Sequence, residues 1–408
     1  MLQRLLPELD ANGWRLVGAK LFRGYAFGLN AVVLGLYLAG LHLDSAVIGV
    51  VLSAALAGTL ALTLVIALWG DRIGRRRLLV IGSGLMVLSA IIPLVGANPA
   101  LLVLIGLSGM VAVTSSESTG LQSVDQAVLP QTVPDRQRTA AFALYNVVAA
   151  AASAIGALSV GPMVALGESL GFSGAATYGP AFVAYAAAGL ASTLLTATLD
   201  QRVEVGARLE RGFAIHRSRG IVAMLSGLFA VDAFAGGFVV QSYLAFWFAA
   251  RFDAAPATVG TLFAASNVLA ALSFPAAAWL ASRIGLIRTM VFSHIPSNLF
   301  LVGAAAAPTL PLAVVLMLGR AALSSMDIPA RQSYAMSVVD AEERTATAGV
   351  TSVARSIGQV IGPAVAGAFL VPIGVGLPLI AGGLVKTGYD LSLYVLFHSR
   401  PTPGEENF

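Results

Sequence analysis

The stretch WGDRIGRRRLLV, from Trp69 to Val80, largely decides how the fold is interpreted. It places four arginines between two uncharged segments, residues 47–70 and 78–97. A helix needs about 20 mostly apolar residues to cross the hydrocarbon core of a bilayer, and each segment is long enough to do so. A short arginine-rich loop between two such helices indicates a tight turn on the cytoplasmic side of a membrane.

The composition of the whole chain is that of a membrane protein. Hydrophobic residues make up 57% of the 408 residues and charged residues 11%, whereas soluble domains are about 45–50% apolar. The chain has no cysteine, which excludes disulfides and thiolate chemistry. It also contains no HExxH, DDxxD or GxxxxGKS/T motif. We therefore expect a protein that is not an enzyme, binds no cofactor or metal, and has no nucleic-acid partner.

Twelve apolar segments predict twelve transmembrane helices, called spans 1 to 12 below. Short connections with proline, asparagine or charge separate them, and the ten-residue alternation of barrel strands is absent. Nearly all arginines of the connections fall on one side, which places both termini in the cytoplasm by the positive-inside rule. The predicted spans are residues 16–40, 46–69, 78–97, 100–125, 139–166, 172–199, 219–249, 256–281, 289–307, 310–336, 345–371 and 376–397.

The chain contains an internal repeat. Residues 126–156 align with residues 332–362 at a constant offset of 206. We therefore predict an all-α polytopic membrane protein with two pseudo-symmetric six-helix bundles, residues 1–199 and 219–408, joined by a cytoplasmic linker at 200–218. Two parallel repeats of this kind, with the substrate site between them, are typical of one class of secondary transporter.

The arginine-rich loop resembles the loop between helices 2 and 3 of the major facilitator superfamily, whose pattern is G-x-L-A-D-R-x-G-R-R/K. The residues that match this pattern are Asp71, Arg72, Gly74, Arg75 and Arg76. The segment Glu342–Thr345, which enters span 11, loosely resembles the drug/proton antiporter branch, including tetracycline-type exporters. The resemblance to the superfamily extends over nearly the whole chain with respect to the fold. It gives only weak information about the class of substrate.

The resemblance also implies that the loop forms a latch, meaning a contact that holds the cytoplasmic ends of the two halves together. In the superfamily, the aspartate of the loop faces the start of helix 11. The arginine after the glycine pairs with an acid that ends helix 4. The alternative is that the arginines only fix the topology. The predicted latch residues are Asp71, Arg72, Gly74, Arg75 and Asp125.

Polar side chains inside the predicted spans are candidates for binding a substrate or a proton, because charges in a bilayer are costly and usually functional. A carboxyl group in apolar surroundings can exchange protons near neutral pH, so Glu117 and Asp232 are the candidates for proton coupling. The alternative for Glu117 is that it neutralises Arg23. The full set of candidates is Arg23, Asn30, Glu117, Asp232, Gln241, Arg320, Asp327 and Arg355.

Two ion pairs are predicted in the second half. Lys386 and Asp390 are four residues apart on span 12, so they share a helix face, and we expect a structural ion pair between them. Asp327 and Arg355 fall at similar depth in spans 10 and 11. We expect them to form either a structural contact or one that gates the site or orients a substrate.

These observations predict a secondary active transporter that works by alternating access and exports small organic molecules in exchange for protons. The alternative is a proton-coupled uptake symporter or a facilitator for a metabolite, with an organic anion bound through Arg23, Arg320 or Arg355. We expect a monomeric, multi-pass protein of the plasma (cytoplasmic) membrane. Its expected partners are a small-molecule substrate, the proton as coupling ion and membrane lipid.

Overall fold

The computed structural model of this chain describes residues 7–90, 98–115, 120–134, 137–204, 217–340 and 343–398. The side chains of residues 71, 139 and 345 lie outside this description. The described ranges are helical and contain no strand, in agreement with the predicted all-α class.

Sixteen α-helices are described, labelled here in chain order. Short 3-10 turns at 129–132, 174–178 and 201–204 and a π-helical turn at 366–370 accompany them. The helices are α1 Ala11–Gly40, α2 Ser45–Ile73, α3 Arg75–Ser89, α4 Pro99–Gly106, α5 Gly120–Val128, α6 Arg138–Leu158, α7 Val160–Ser169, α8 Gly179–Ala197, α9 Arg219–Gly237, α10 Gln241–Phe252, α11 Pro256–Ile284, α12 Leu286–Ala306, α13 Leu310–Ser324, α14 Asp327–Ser337, α15 Arg344–Val365 and α16 Leu377–Phe397.

Nine helical segments of the described ranges are long and apolar enough to cross a membrane. The chain is therefore a multi-pass membrane protein. Predicted spans 3 and 4 both include residues outside the described ranges, and span 12 corresponds to α16, which carries Lys386 and Asp390. The count of twelve spans and the cytoplasmic position of both termini remain predictions.

Four spans expected as continuous helices are interrupted, and one of them is span 5, which breaks at Ser159 between α6 and α7. Span 7 breaks at 238–240, between α9 and α10, and span 10 breaks at 325–326, between α13 and α14. Span 4 stops being helical after Gly106, and helix α5 begins at Gly120. Glycine and serine pairs are common places for helix kinks, and span 7 breaks directly after such a pair at 236–237. Interrupted helices in transporters expose backbone groups that can bind ligands.

The packing of the chain divides it into two compact units. Unit 1 contains residues 1–208 together with 241–249 and 253–264. Unit 2 contains the remaining residues, 209–240, 250–252 and 265–408. The predicted domain boundaries differ from this division in assigning the whole of residues 219–408 to the second bundle. Those boundaries remain a prediction about the two repeats.

Each unit contains a very close helix pair, and the two pairs resemble each other. In unit 1, α1 packs on α6 so tightly that a Cβ on Gly28 would lie 2.0 Å from the carbonyl oxygen of Ser153. In unit 2, α9 packs on α15 in the same way, and a Cβ on Gly358 would lie 2.2 Å from the carbonyl oxygen of Ala230. Small residues at such contacts allow backbones to approach closely in the membrane. The internal repeat of the sequence therefore has a counterpart in how each unit packs.

Substituting Gly358 by alanine is expected to destabilise unit 2, because the added methyl group would collide with backbone that cannot rotate away. Overpacking of this kind typically costs about 1–3 kcal/mol, so the Tm of the purified protein in detergent should fall. Gly388→Ala is the matched control, since residue 388 is exposed on α16 and an added Cβ meets nothing within 4 Å. Equal Tm values for the two variants would contradict the close packing of α9 on α15.

Candidate functional site

Five charged side chains of unit 2 form one buried group, called the Asp232 cluster. Its centre is Asp232 on α9, whose side chain is only 3% exposed. Three cations from three other helices converge on this carboxylate. Lys386 Nζ lies 2.5 Å from Oδ1, Arg355 Nη1 lies 3.0 Å from Oδ2, and Arg331 Nη1 lies 3.5 Å from Oδ2. The fifth member is Asp327, and helices α9, α14, α15 and α16 are thereby joined at one point.

Asp327 is bound to Arg331 rather than to Arg355. The Arg331 guanidinium donates from Nη1 to Asp327 Oδ2 at 2.7 Å, along the same helix with i,i+4 spacing. The break before α14 makes Asp327 the first residue of that helix, where the helix dipole favours a carboxylate. Arg355 instead donates to Asp232 at 3.0 Å. The expected Asp327–Arg355 ion pair is therefore wrong, because each partner has a nearer counter-ion.

The expected ion pair between Lys386 and Asp390 is also wrong. The Lys386 ammonium is bound to Asp232 instead. The Asp390 carboxylate accepts hydrogen bonds from His294 Nδ1 and Asn298 Nδ2, both at 2.9 Å. Residues spaced i,i+4 share a helix face, but a small difference in direction lets them reach different neighbouring helices. Here α16 lies against both α9 and α12, and each charge finds its partner on a different one.

The Asp232 cluster has an excess of one positive charge, because three cations accompany two carboxylates. Its most accessible member is Arg355, whose side chain is 30% exposed. Arg320 on α13 is close enough for its charge to interact with that of Asp232. The Nε of Arg320 is buried and has no hydrogen-bond partner among the described residues. This group of cations can therefore attract an anion.

Unit 1 contains a smaller buried ionic group, formed by Arg23, Asp125 and Tyr145. Arg23 on α1 and Asp125 on α5 form an ion pair in which both side chains are fully buried. The Tyr145 hydroxyl on α6 donates to Asp125 Oδ2 at 2.6 Å, and the Lys20 ammonium lies 4.9 Å from the centre of the Tyr145 ring. Glu117, which the sequence predicted as the alternative partner of Arg23, lies outside the described residues.

The ionic groups of the two units are related by the internal repeat, with their charges exchanged. Asp125 on α5 and Arg331 on α14 are separated by the repeat offset of 206. Their partners, Arg23 on α1 and Asp232 on α9, lie on the corresponding first helices of the two halves. In unit 1 the first helix carries the base and the later helix carries the acid. In unit 2 the first helix carries the acid and the later helix carries the base. The sequence shows this reversal directly at residues 125 and 331.

The arginine-rich loop is held by a residue that the sequence interpretation missed. The Glu204 carboxylate accepts hydrogen bonds from the backbone N–H groups of Arg75, at 2.7 Å, and Arg76, at 3.0 Å. It thereby caps the start of α3, where a negative charge is favourable. Gly74 adopts φ +95°, and a Cβ there would lie 3.1 Å from both Glu204 carboxylate oxygens. The glycine of the loop therefore allows both the turn and the cap.

The expected ion pair between Arg75 and Asp125 is absent among the described side chains. Arg75 Nη1 donates to the Val203 carbonyl at 3.4 Å, while Asp125 is bound by Arg23 and Tyr145. The Arg23 guanidinium supplies the positive charge that balances Asp125. Arg72 is exposed, and the Asp71 side chain lies outside the description. The role of the loop as a latch remains a prediction.

The start of the linker is folded onto unit 1. Asp200, outside the membrane-spanning segments, accepts a hydrogen bond from the Arg202 backbone N–H at 2.9 Å. A hydrogen bond from Asn12, followed in importance by that from Arg202, lowers the pKa of the Asp200 carboxyl. Together with Glu204 of the same segment, these contacts tie the first linker residues to α1 and α3.

The side chains of Asn30 and Gln241 form hydrogen bonds with residues of the interrupted span 4. The Asn30 Nδ2 donates to the Ala112 carbonyl at 3.0 Å. The Gln241 Oε1 accepts from the Ser115 backbone N–H at 3.0 Å and from its hydroxyl at 2.6 Å. Both side chains therefore stabilise non-helical backbone, which needs such partners inside a membrane. Within the described ranges, no three His, Asp or Glu side chains are grouped as metal ligands.

Removing the Glu204 cap should weaken the attachment of the linker to α3. We expect Glu204→Ala to lower the free energy of unfolding by about 0.5–2 kcal/mol, the usual effect of losing a helix cap. Thermal unfolding of the purified protein measures this change. Glu168→Ala removes an exposed glutamate that caps no helix and is the control. A Glu204→Ala protein as stable as the control would show that the cap is dispensable.

Comparisons with known proteins agree with this architecture. The family described as Major Facilitator Superfamily matches residues 16–248 and 224–407. The uncharacterized membrane protein YJR124C of Saccharomyces cerevisiae is 25% identical over 420 residues, covering 94% of this chain and 93% of that protein.

Several solved transporters have the same fold at low sequence identity. The nucleoside transporter NupG has a TM-score of 0.73 at 14% identity, covering 95% of this chain and 98% of its own. A D-xylose-proton symporter has a TM-score of 0.69 at 15% identity, covering 97% and 98%. A bacterial homologue of the iron transporter ferroportin has a TM-score of 0.71 at 14% identity, covering 95% and 99%. At these identities the likeness concerns the fold alone.

Proposed function

Because the chain belongs to the major facilitator superfamily, and is therefore a membrane transporter rather than an enzyme, we propose that it couples the movement of small organic solutes to the movement of protons. We further propose that it works by alternating access as a monomer in the plasma membrane. Lipid and the proton are its partners besides the solute.

The observation that carries this proposal is the sharing of the Asp232 carboxylate by three cations from three helices. Neutralising Asp232 would raise the net charge of the cluster from one to two positive charges. Repulsion between the cations would then favour separation of α14, α15 and α16 from α9. A proton arriving at this carboxylate would therefore change helix packing, as coupling requires.

We propose export as the direction of transport. Its support is the loose resemblance of residues 342–345 to tetracycline-type exporters. The alternative is uptake by proton symport, and its support is the fold shared with a D-xylose-proton symporter. The two directions differ in how an inward proton gradient affects the solute: it drives solute out in exchange for protons, and it drives solute in by symport.

A second candidate is the transport of an organic anion. It is favoured by the excess positive charge of the Asp232 cluster and by the partial exposure of Arg355. A carboxylate or phosphate group would balance that charge and give the guanidinium of Arg355 a bidentate partner. Arg320 would provide a further positive charge nearby.

The experiment that tests the proposal begins with a screen of organic anions, cations and neutral solutes for an increase in the Tm of the purified protein. The solute that stabilises most is then loaded into proteoliposomes, and the exterior is made more acidic than the interior. Proton-coupled export predicts faster solute efflux, and symport predicts retention and uptake. A protonophore should abolish either effect. Solute flux that ignores the gradient would contradict proton coupling.

A further inference from the structure

A second buried titratable group of unit 2 lies outside the Asp232 cluster. It consists of Asp390 on α16 and of His294 and Asn298 on α12, all nearly inaccessible to solvent. His294 and Asn298 are one helical turn apart, so both face α16, and together they bind the two carboxylate oxygens of Asp390. His294 and Asp390 both lie in the interior of their helices, at least seven residues from either end.

From this geometry we infer that His294 and Asp390 form a binding site for one proton within the membrane, separate from the Asp232 cluster. This inference deepens the proposed function and rests on it. An ionised carboxylate can only accept hydrogen bonds, so the Nδ1–H of His294 donates to Asp390. A neutral imidazole bonded in this way keeps its lone pair on Nε2, which has no hydrogen-bond partner among the described residues.

The proton binds at Nε2 without any other bond breaking. Neutral imidazole plus a proton gives imidazolium, and the Nδ1–H bond to Asp390 is kept in both states. The His294–Asp390 pair changes from a net charge of minus one to zero. Imidazole is the side chain whose ordinary titration falls near neutral pH, and buried carboxylate–histidine pairs in membranes are typical of proton relays.

Lys386 connects this proton site to the Asp232 cluster. It lies one turn before Asp390 on α16, and its ammonium is bound to Asp232. When the His294–Asp390 pair is negative, Asp390 competes with Asp232 for Lys386. When the pair is neutral, Asp232 keeps Lys386. The structure has Lys386 on Asp232, the arrangement that the protonated pair favours. Proton binding at His294 would therefore set how firmly α16 is bound to α9.

The charges that face the pair come from every helix packed around it. Helix α9 contributes Asp232, α13 contributes Arg320, α14 contributes Asp327 and Arg331, and α15 contributes Arg355 through its contact with Asp232. Helix α16 itself adds Lys386 and Tyr389. The Tyr389 ring lies edge-on to the His294 ring at 6.3 Å, and its buried hydroxyl has no hydrogen-bond partner among the described residues. The charge on Asp390 interacts with those of Asp232 and Lys386.

The test is a pH titration of the full-length protein, labelled with 15N-histidine in lipid nanodiscs and followed by NMR. The chain has four histidines, and the signal of His294 is the one lost in His294→Gln. We expect this signal to change from that of neutral imidazole to that of protonated imidazole when the sample is titrated from about pH 8 to about pH 5. His398→Gln, which removes an exposed histidine, should leave that signal unchanged, and Lys386→Gln should move its midpoint.

If His294→Gln does not fold, substitution of His42, His216 and His398 by glutamine leaves His294 as the only histidine, and its titration is then read directly. A His294 that keeps one protonation state across this range would overturn the inference, as would a midpoint unaffected by Lys386→Gln. The titration requires no solute. Transport that ignores a proton gradient would therefore contradict the proposed function, while a titrating His294 would still establish the proton site.

Discussion

Asp232→Asn is expected to eliminate the response of transport to a proton gradient and to destabilise unit 2. The substitution leaves Lys386, Arg355 and Arg331 without their shared carboxylate, and only Asp327 remains to balance three cations. Breaking a buried ion pair by removing one partner typically costs about 3–5 kcal/mol, because the remaining charge is uncompensated. We therefore expect a large fall in Tm and, in the protein that still folds, solute flux that is independent of the gradient.

The double variant Asp232→Asn/Lys386→Gln separates stability from coupling. It removes one negative and one positive charge, so the cluster returns to its original net charge. Much of the lost Tm should then be recovered, whereas the proton response should stay absent. Asp253→Asn is the matched control, because Asp253 is exposed in a connection between helices and asparagine tolerates its φ of +48°. A fully coupled Asp232→Asn protein would show that this carboxylate takes no part in coupling.

Asp125→Asn is expected to have a comparable effect on unit 1. Arg23 is fully buried, and the substitution removes the negative charge that balances it. We expect a loss of about 3–5 kcal/mol in the free energy of unfolding, by the same argument. The measurement is the Tm of the single variant against that of Arg23→Gln/Asp125→Asn, in which no charge remains. The double variant should be the more stable of the two.

A charge exchange offers a stricter test of the same pair. Arg23→Asp/Asp125→Arg places an acid on the first helix and a base on the later one, the order that unit 2 uses at Asp232 and Arg331. If the two units are equivalent in this respect, the exchanged protein should be more stable than either single substitution. Additive losses from the two single substitutions would show that Arg23 and Asp125 do not act as a pair.

The sequence was sufficient to predict the membrane fold and to identify most of the buried charges. Apolar segments of bilayer length, arginines on one side and a repeat at an offset of 206 are properties of the chain itself. The choice of ion-pair partners was not predictable in the same way. Lys386, Asp390 and Arg355 each had a plausible partner by spacing or depth, but a neighbouring helix offered a closer one. The packing of α16 between α9 and α12, and of α15 on α9, decides that choice.

Two contacts of the structure, those of Glu204 and His294, had weaker signals in the sequence. Glu204 follows the last helix of the first half at the start of the linker, and nothing in its spacing points to Gly74. His294 is the only histidine inside a long apolar segment of the second half, a signal that could have been used. The breaks in spans 4, 5, 7 and 10 were also missed, because the glycines and serines at or beside them also occur in continuous membrane helices.

The most direct test of the account measures solute flux from proteoliposomes with and without an imposed pH gradient, for the native chain and for Asp232→Asn/Lys386→Gln. The account predicts that the gradient accelerates flux through the native chain, that a protonophore removes this acceleration, and that the double variant transports at a rate the gradient does not change. A double variant whose flux responds to the gradient as the native chain does would contradict the central claim that Asp232 couples proton and solute movement.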